Sequence, residues 1–157
     1  ERRKTTLTIV GSGGDGERAL ASVLASEGAS NVCHLGRVED PRELLEIYRT
    51  HDIFVMPSFR ETFGVAYLEA LSQGLPVVYS KGEAIDGYFE PHTVGEGVEP
   101  RSPEAVRDGG LAIAARLGSV RKECVARARA FSWQEIARTY SGLYEVERRQ
   151  RPAERAT

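Results

Sequence analysis

The sequence predicts an α/β domain in which helices flank a parallel β-sheet. Four short β-branched runs, at residues 6–10, 31–35, 52–57 and 76–80, alternate with longer helical patterns, and this alternation indicates βαβ units. The chain has 157 residues, which is the length of one domain with a sizeable core. We therefore expect a single domain over residues 1–157.

The predicted helices between these strands have clear start and stop signals. They cover residues 16–26, 41–50 and 64–73. Asp40 is a suitable N-cap for the second helix, which has Pro41 at its first position. Gly74 is expected to end the third helix, before a strand that starts at Pro76.

The C-terminal part predicts one more strand and three more helices. The strand is expected at residues 94–98 and the helices at 103–117, 120–129 and 133–149, before a frayed tail over 150–157. The last helix has an apolar stripe, part of which we expect to be exposed. The stripe consists of Trp133, Ile136, Tyr140, Leu143 and Tyr144.

Composition narrows the function classes. Lys plus Arg number 21 against 23 Asp plus Glu, so the composition gives no indication of a broad basic face and nucleic acid is not an expected partner. Cys33 and Cys124 are far apart and the three histidines are scattered, so we expect no metal site. We expect no signal peptide, and no apolar run approaches the roughly 18 residues of a membrane span. We expect a cytoplasmic protein, whose membrane contact, if it has any, is peripheral and at the inner face.

A glycine-rich turn follows the first predicted strand. Gly11, Gly13 and Gly16 have G-x-G-x-x-G spacing before a helix, which favours a phosphate near that helix N-terminus. Two other interpretations stay open. The glycines could form a tight strand-to-helix turn and have no other role. They could also belong to a dinucleotide site. A dinucleotide site needs an acidic residue at the end of the second strand, where this chain has Gly36 and Arg37.

Two further segments end at the carboxyl edge of the predicted sheet, where open α/β sheets bind ligands. Gly36, Arg37 and Val38 follow the second strand and could present backbone groups to a base, or they could form a surface loop without a role. The segment "PSFRETFG" follows the third strand, and its backbone N–H groups, with those of the helix start, could receive a phosphate.

Glu61 and Glu69 bracket this helix start. Eight residues correspond to at most about 12 Å along a helix, which suits two ends of an extended ligand better than a close carboxylate pair. A sugar joined through a diphosphate to a nucleoside has hydroxyls at both ends. Glu69 lies among apolar residues, where a buried carboxylate is costly without hydrogen bonds. The alternative is that both glutamates are surface charges without a role.

At these residues the sequence resembles a known family. The run "PSFRETFGVAYLEALSQGLPVV" resembles the C-terminal, nucleotide-sugar-binding domain of GT-B-fold retaining glycosyltransferases of family 4, with Glu61 and Glu69 as the E-x7-E pair. The likeness extends through "LTIVGSGGDGERAL", "NVCHLGRVEDPRELLEIYRTHDIFVMPS" and "FSWQEIARTYSGLY". It implies a Rossmann-like sheet, the C-terminal half of a GT-B fold.

The resemblance also implies roles for individual residues. Glu69 would accept hydrogen bonds from the ribose 2′ and 3′ hydroxyls. Glu61, the catalytic candidate, would bond the donor sugar and support charge on its ring as the diphosphate departs. The other predicted donor-nucleotide residues are Phe63, Gly64 and Val65 at the diphosphate, Gly36, Arg37 and Val38 at the base, and Gly11 and Gly13 in the glycine-rich turn.

The sequence departs from the family pattern in two places. The family's first C-domain strand, followed by an arginine and a lysine that grip the diphosphate, is not reproduced by the opening "ERRKT". We expect it in a longer parent chain, together with an N-terminal domain that carries the acceptor site. The usual GGxxE loop is also absent, and residues 82–86, "GEAID", are its expected counterpart.

The resulting expectation is the donor half of a retaining glycosyltransferase, inactive without its N-terminal domain. Its substrate would be a UDP- or GDP-linked sugar, used without a cofactor or metal. The acceptor would be a glycan, a lipid or a small molecule, as in polysaccharide or glycoconjugate biosynthesis. Two alternatives stay open, namely a NAD-binding module of an oxidoreductase and a non-catalytic interaction domain.

Overall fold

The computed structural model describes residues 5–14 and 16–150, with only the backbone at residues 27 and 146–150. Residues 1–4 of the opening segment and the predicted tail beyond residue 150 lie outside the described residues. The chain divides into two compact units, Glu1–Ile47 and Tyr48–Thr157, called here the first and second unit.

The first unit contains a two-stranded parallel sheet. Strands β1 (Leu7–Val10) and β2 (Val32–Gly36) pair directly, and helix α1 (Glu17–Leu24) with the 3-10 turn Glu27–Ala29 connects them. This is a βαβ unit, as the alternating sequence pattern predicts. Helix α2 (Pro41–Arg49) begins in the first unit and ends in the second. Asp40 caps it, because its Oδ1 accepts a hydrogen bond from the Arg42 N–H at 2.8 Å.

The second unit contains a three-stranded parallel sheet with β4 in the centre. Its strands are β3 (Phe54–Val55), β4 (Val77–Ser80) and β5 (Gly95–Val98), in the order β3-β4-β5. The described strands thus form parallel sheets flanked by helices, as the sequence predicts, with one sheet in each unit. Strand β3 is shorter than predicted, because Pro57 lacks an N–H and the Ser58 N–H turns back to the Met56 carbonyl at 2.9 Å.

Four helices belong wholly to the second unit. They are α3 (Val65–Ser72), α4 (Pro103–Ala115), α5 (Leu117–Ala128) and α6 (Trp133–Gln150), with the 3-10 turn Arg129–Phe131 before α6. Gly74 closes α3 as predicted, since it has a φ of +81° and the Leu75 N–H bonds the Ala70 carbonyl at 3.0 Å. Helix α5 begins three residues earlier than expected because only Arg116 separates it from α4.

The core of the second unit lies around β4, all of whose residues are buried. Val78 packs with Val98 of β5 and Ile113 of α4. Strand β5 approaches β4 closely at Gly95, where an added Cβ would lie 1.9 Å from the Val77 carbonyl oxygen. This packing fixes the three strand ends from which the candidate site is built.

The apolar stripe of α6 is largely exposed, as the sequence predicts. Trp133 is 83% exposed and Tyr144 is 68% exposed. Tyr140 and Leu143 are also exposed, whereas Ile136 is half-buried. Among the described residues, no helix is long and apolar enough to span a membrane.

Candidate functional site

The loop between β3 and α3 leaves the sheet at the carboxyl ends of β3 and β4. The Met56 N–H still bonds the Val78 carbonyl at 3.1 Å, and the Ser80 hydroxyl donates to the Ser58 carbonyl at 2.6 Å. These bonds attach the start of the loop to the end of β4. The loop therefore presents its next residues, including Glu61, at the sheet edge where ligands bind in α/β folds.

Glu61 is held by backbone contacts with the loop that follows β4. Its N–H donates to Glu83 Oε2 at 3.0 Å, and its carbonyl accepts from the Ala84 N–H at 3.3 Å. Its own Oε1 accepts from the Thr62 N–H at 3.0 Å. The side chain is half-buried, and no ion pair to it occurs within the described ranges. A half-buried carboxylate without a cation can accept further hydrogen bonds from hydroxyl groups.

The loop after β4 is the segment expected to replace the family's GGxxE loop. Gly82 has a φ of +77° and its N–H donates to Asp86 Oδ2 at 2.7 Å, while Ile85 is buried. The loop is thus folded on itself and brings Glu83 against Glu61. The structure places the expected segment beside Glu61, and a contact with a sugar stays a prediction.

Gly64 forms the N-cap of α3 and requires the left-handed backbone region. Its φ is +76°, and an added Cβ would lie 2.4 Å from Cδ2 of the Tyr67 ring. Tyr67 is fully buried, and its hydroxyl donates to the Met56 carbonyl. Burial, with a smaller effect of the nearby Glu61 charge, raises the pKa of Tyr67 to about 12. Gly64 therefore lets the loop pass directly over this ring.

The first turn of α3 has the features of an anion-accepting helix N-terminus. It contains no acidic residue, and its first residue, Val65, is 62% exposed. Phe63, just before it, is half-buried and packs edge-to-face on Tyr88 at a centroid distance of 5.5 Å and near Phe131 at 6.1 Å. Free backbone N–H groups at such a position attract a phosphate.

Glu69 lies on the exposed side of α3. Sequence neighbours such as Leu68 and Ala70 suggested a buried carboxylate, but residues adjacent in sequence do not share a helix face. Val65 and Ser72, which do lie near Glu69 along the helix, are exposed. Glu69 is therefore not buried among apolar side chains, and its carboxylate is accessible.

Tyr48, at the end of α2, is the protein partner of Glu69 and was not anticipated from the sequence. Its hydroxyl donates to Glu69 Oε2 at 3.3 Å. Tyr48 is only 7% exposed, and its ring packs edge-to-face on Phe54, which packs in the same way on Tyr67. The apolar spacing of α2 could have shown that Tyr48 is buried, although not where its hydroxyl points.

An open groove of about 590 Å³ runs beside α3 within the second unit. One wall is formed by the exposed side of α3, including Val65 and Glu69, and the other by the end of α5 and the start of α6. The lining is mainly apolar, with Glu69, Ser72, Arg129 and Ser132 as polar members. The groove shows that the Glu69 face of α3 is accessible.

The first unit holds the predicted base and glycine-rich segments. The Gly11 N–H bonds the Gly36 carbonyl at 2.7 Å, and His34 Nε2 donates to the Gly11 carbonyl at 2.8 Å. Gly36 therefore lies beside Gly11 at the carboxyl ends of β1 and β2. Arg37 is exposed and paired with Glu39 at 3.3 Å, and Val38, in the same segment, is half-buried.

The glycines before α1 have the geometry of a tight turn. Gly11 and Gly13 have φ values of +125° and +86°, and Gly14, which the spacing did not single out, has a φ of +83°. Gly16 is the N-cap of α1. These conformations explain the glycines as a turn, and whether the turn also contacts a phosphate stays a prediction. In the described part of the chain, no group of three or more His, Cys, Asp or Glu side chains could hold a metal.

Comparisons with known proteins identify the family. The profile described as "Glycosyl transferases group 1" matches residues 1–130. The chain belongs to this family. Its fold is that of the C-terminal domain of GT-B glycosyltransferases, as the resemblance at the E-x7-E segment implies.

Three similar proteins illustrate the relationship. The D-inositol 3-phosphate glycosyltransferase of Corynebacterium glutamicum is 35% identical over 115 residues, which are 66% of this chain and 26% of that protein. Sucrose-phosphate synthase from Thermosynechococcus elongatus has a TM-score of 0.76 at 25% identity, over 92% of this chain and 39% of that one. Anabaena HepE, solved in complex with UDP-glucose, has a TM-score of 0.68 at 24% identity, over 89% of this chain and 42% of that one. The chain thus spans less than half the length of each.

Proposed function

We propose that the chain is the donor-binding half of a retaining glycosyltransferase of family 4, which transfers a sugar from a UDP- or GDP-linked donor. The observation that carries the proposal is the arrangement around α3. Glu61 and Glu69 lie on either side of a helix N-terminus that has no acidic residue in its first turn. A nucleoside diphosphate sugar has hydroxyls at both ends and charge in the middle, so it complements this order of groups. The relative solved with UDP-glucose supports the same ligand class.

In this proposal each group has one task. Glu69 accepts hydrogen bonds from the ribose hydroxyls, and the backbone of Phe63, Gly64 and Val65 receives the diphosphate. Glu61 bonds hydroxyls of the donor sugar, and its negative charge stabilises the positive charge that develops on the ring as the diphosphate leaves. Because the Glu61 N–H bonds Glu83 Oε2 and Glu61 Oε1 accepts from the Thr62 N–H, both the backbone and the carboxylate of Glu61 are restrained without a bound donor.

Two further segments are proposed to contact the nucleotide. Gly36, Arg37 and Val38 are proposed to lie against the base, and Gly11 and Gly13 to approach the nucleotide. A dinucleotide site is the less suitable alternative for this turn, because the second strand ends in Gly36 and Arg37 without the acidic residue that such a site needs for the ribose. The chemistry needs no metal in this proposal, since the N-terminus of α3 meets the diphosphate charge together with the arginine and lysine expected in the parent chain.

The parent enzyme is proposed to have two domains, with the acceptor, a glycan, a lipid or a small molecule, bound by an N-terminal domain. Two exposed apolar surfaces support this. Trp133 and Tyr144 project from α6, and Leu7 and Leu35 of the first sheet are 46% and 45% exposed. The chain alone would then bind donor weakly without transferring sugar. We place the parent enzyme in the cytoplasm, peripheral at the inner membrane face when its acceptor is a lipid.

Titration of the chain with UDP, GDP, ADP and NAD tests the donor proposal. We expect binding of a nucleoside diphosphate, weakened about ten- to a hundredfold by Glu69→Ala, which corresponds to about 1.5 to 3 kcal/mol for hydrogen bonds to a charged group. Glu61→Ala should leave nucleotide binding nearly unchanged, because its partner is the sugar. Glu145→Ala, which removes an exposed carboxylate from α6, is the matched control.

Thermal midpoints measured beside the titrations separate lost binding from lost folding. Binding of NAD without any nucleoside diphosphate would contradict the proposal and favour a dinucleotide module. No binding of any of the four ligands would favour a non-catalytic interaction domain. Normal nucleotide binding by a folded Glu69→Ala variant would remove Glu69 from the site.

A further inference from the structure

The hydroxyl of Tyr48 ends at the carboxylate that is proposed to bind ribose. The O–H donates to Glu69 Oε2 at 3.3 Å, and no ion pair to Glu69 occurs within the described ranges. The group that donates a hydrogen bond to Glu69 is therefore neutral. A neutral donor restrains one carboxylate oxygen without cancelling the charge, so Oε1 keeps its full capacity to accept a hydroxyl proton.

The Tyr48 ring is fixed far more firmly than the Glu69 side chain. Tyr48 is 7% exposed, and its centroid lies 5.7 Å from that of Phe54 in an edge-to-face contact. Phe54 in turn packs on Tyr67 at 5.8 Å. Glu69 is exposed and has three rotatable side-chain bonds. The fixed Tyr48 hydroxyl therefore limits the orientations of the Glu69 carboxylate before the ligand binds.

The Tyr48 hydroxyl keeps the proton that it donates to Glu69 at neutral and moderately alkaline pH. Burial, followed by the Glu69 charge and the hydrogen bond to it, raises the pKa of Tyr48 to about 12. The hydroxyl therefore carries its proton at neutral and moderately alkaline pH. The restraint on Glu69 should not vary with pH in the range where enzymes of this kind are assayed.

We propose that Tyr48 is a positioning residue for donor recognition: its hydroxyl holds Glu69 Oε2 so that Oε1 faces the ribose, and it thereby sets the preference for ribose over deoxyribose nucleotides. This inference rests on the proposed function, because it assigns a task to Tyr48 through Glu69. Tyr48 itself touches neither the sugar nor the reacting atoms.

The test uses Tyr48→Phe, which removes the hydroxyl and keeps the ring that packs on Phe54. Dissociation constants are measured for UDP and 2′-deoxy-UDP, with GDP and 2′-deoxy-GDP as a second pair. We expect UDP binding to weaken about three- to tenfold, the cost of ordering one flexible side chain, with a smaller loss for the deoxy nucleotide, which keeps only the 3′ hydroxyl as a partner of Glu69. The ribose preference should shrink accordingly. Tyr140→Phe on the exposed stripe of α6 is the matched control and should change neither constant.

A double-mutant cycle distinguishes positioning from a general structural effect. If Tyr48 acts through Glu69, Tyr48→Phe has no further effect on UDP binding in a Glu69→Ala background. An equal loss in both backgrounds, or an equal loss for UDP and its deoxy form, overturns the inference. A purely structural defect would lower binding of both nucleotides together.

The outcomes also separate this inference from the proposed function. If the wild-type chain binds none of UDP, GDP, ADP and NAD, both the proposed function and the positioning role of Tyr48 fail. If it binds UDP or GDP and Glu69→Ala weakens that binding, but Tyr48→Phe leaves the ribose preference intact, then only the positioning role of Tyr48 is wrong.

Discussion

Replacing Gly64 by alanine tests the loop geometry on which the candidate site depends. At a φ of +76°, a residue with a Cβ is disfavoured by roughly 1 to 2 kcal/mol. The new Cβ would also lie 2.4 and 2.6 Å from two atoms of the Tyr67 ring and 3.3 Å from Cγ of Glu61. Such distances cannot be tolerated, so the ring or the loop has to move.

Neither can move without loss. Tyr67 is fully buried and its hydroxyl is bonded to the Met56 carbonyl, so displacing the ring means repacking at a cost of about 1 to 3 kcal/mol. We therefore expect Gly64→Ala to lower the free energy of unfolding by about 2 to 5 kcal/mol in total. It should also weaken donor binding, because Glu61 and the first turn of α3 are displaced with the loop.

Gly87→Ala is the matched control for this substitution. Gly87 has a φ of +84° but no atom within 4 Å of an added Cβ, so it carries only the backbone cost of roughly 1 to 2 kcal/mol. Urea unfolding followed by circular dichroism compares the two variants. Equal losses for Gly64→Ala and Gly87→Ala would refute the close contact with Tyr67, and with it the loop path described for Glu61.

Two further predictions concern stability. Ile113→Ala should lower the free energy of unfolding by about 2 to 5 kcal/mol because Ile113 is fully buried. Leu111→Ala on the same helix should lower it much less, since Leu111 is 62% exposed. Similar losses for the two variants in urea unfolding would contradict the described core. Burial raises the pKa values of Tyr48 and Tyr67 to about 12, so the folded state favours the protonated hydroxyls. The stability that these two protonated tyrosines contribute is complete below pH 10 and is lost as the pH rises towards 12. Tyr67→Phe should therefore flatten the decline between pH 10 and 12 by about 1.4 kcal/mol per pH unit, and an unchanged slope would show that Tyr67 titrates normally.

The elements were predictable where the signal is local. Asp40 before Pro41 marks the start of α2, and Gly74 marks the end of α3, because caps are read from a few adjacent residues. The division of the strands into two sheets could not be read in this way. Strand pairing depends on partners distant in sequence, and no local feature of β1 or β3 states whether the two strands pair with each other.

The sequence predicts the two glutamates of the candidate site but not the residues that hydrogen-bond to them, Tyr48 and Glu83. The E-x7-E spacing locates Glu61 and Glu69, but Tyr48 lies 21 residues from Glu69 and Glu83 lies 22 residues from Glu61. Each support reaches its glutamate only after α2, β4 and the following loop have packed. In the sequence, Tyr48 is one more apolar position on an amphipathic helix, and its hydroxyl becomes informative only when its partner is known.

The two glutamates are connected through one aromatic row, although they address different ends of the proposed ligand. Tyr48 bonds Glu69, Tyr67 lies beneath the loop that carries Glu61, and Phe54 of β3 packs edge-to-face on both tyrosines. Because the ring of Phe54 contacts both tyrosines, neither ring has room to shift without repacking Phe54. Eight residues of spacing therefore do not by themselves make a donor site. The relative placement of the two carboxylates depends on side chains from α2 and β3, which lie outside the E-x7-E segment.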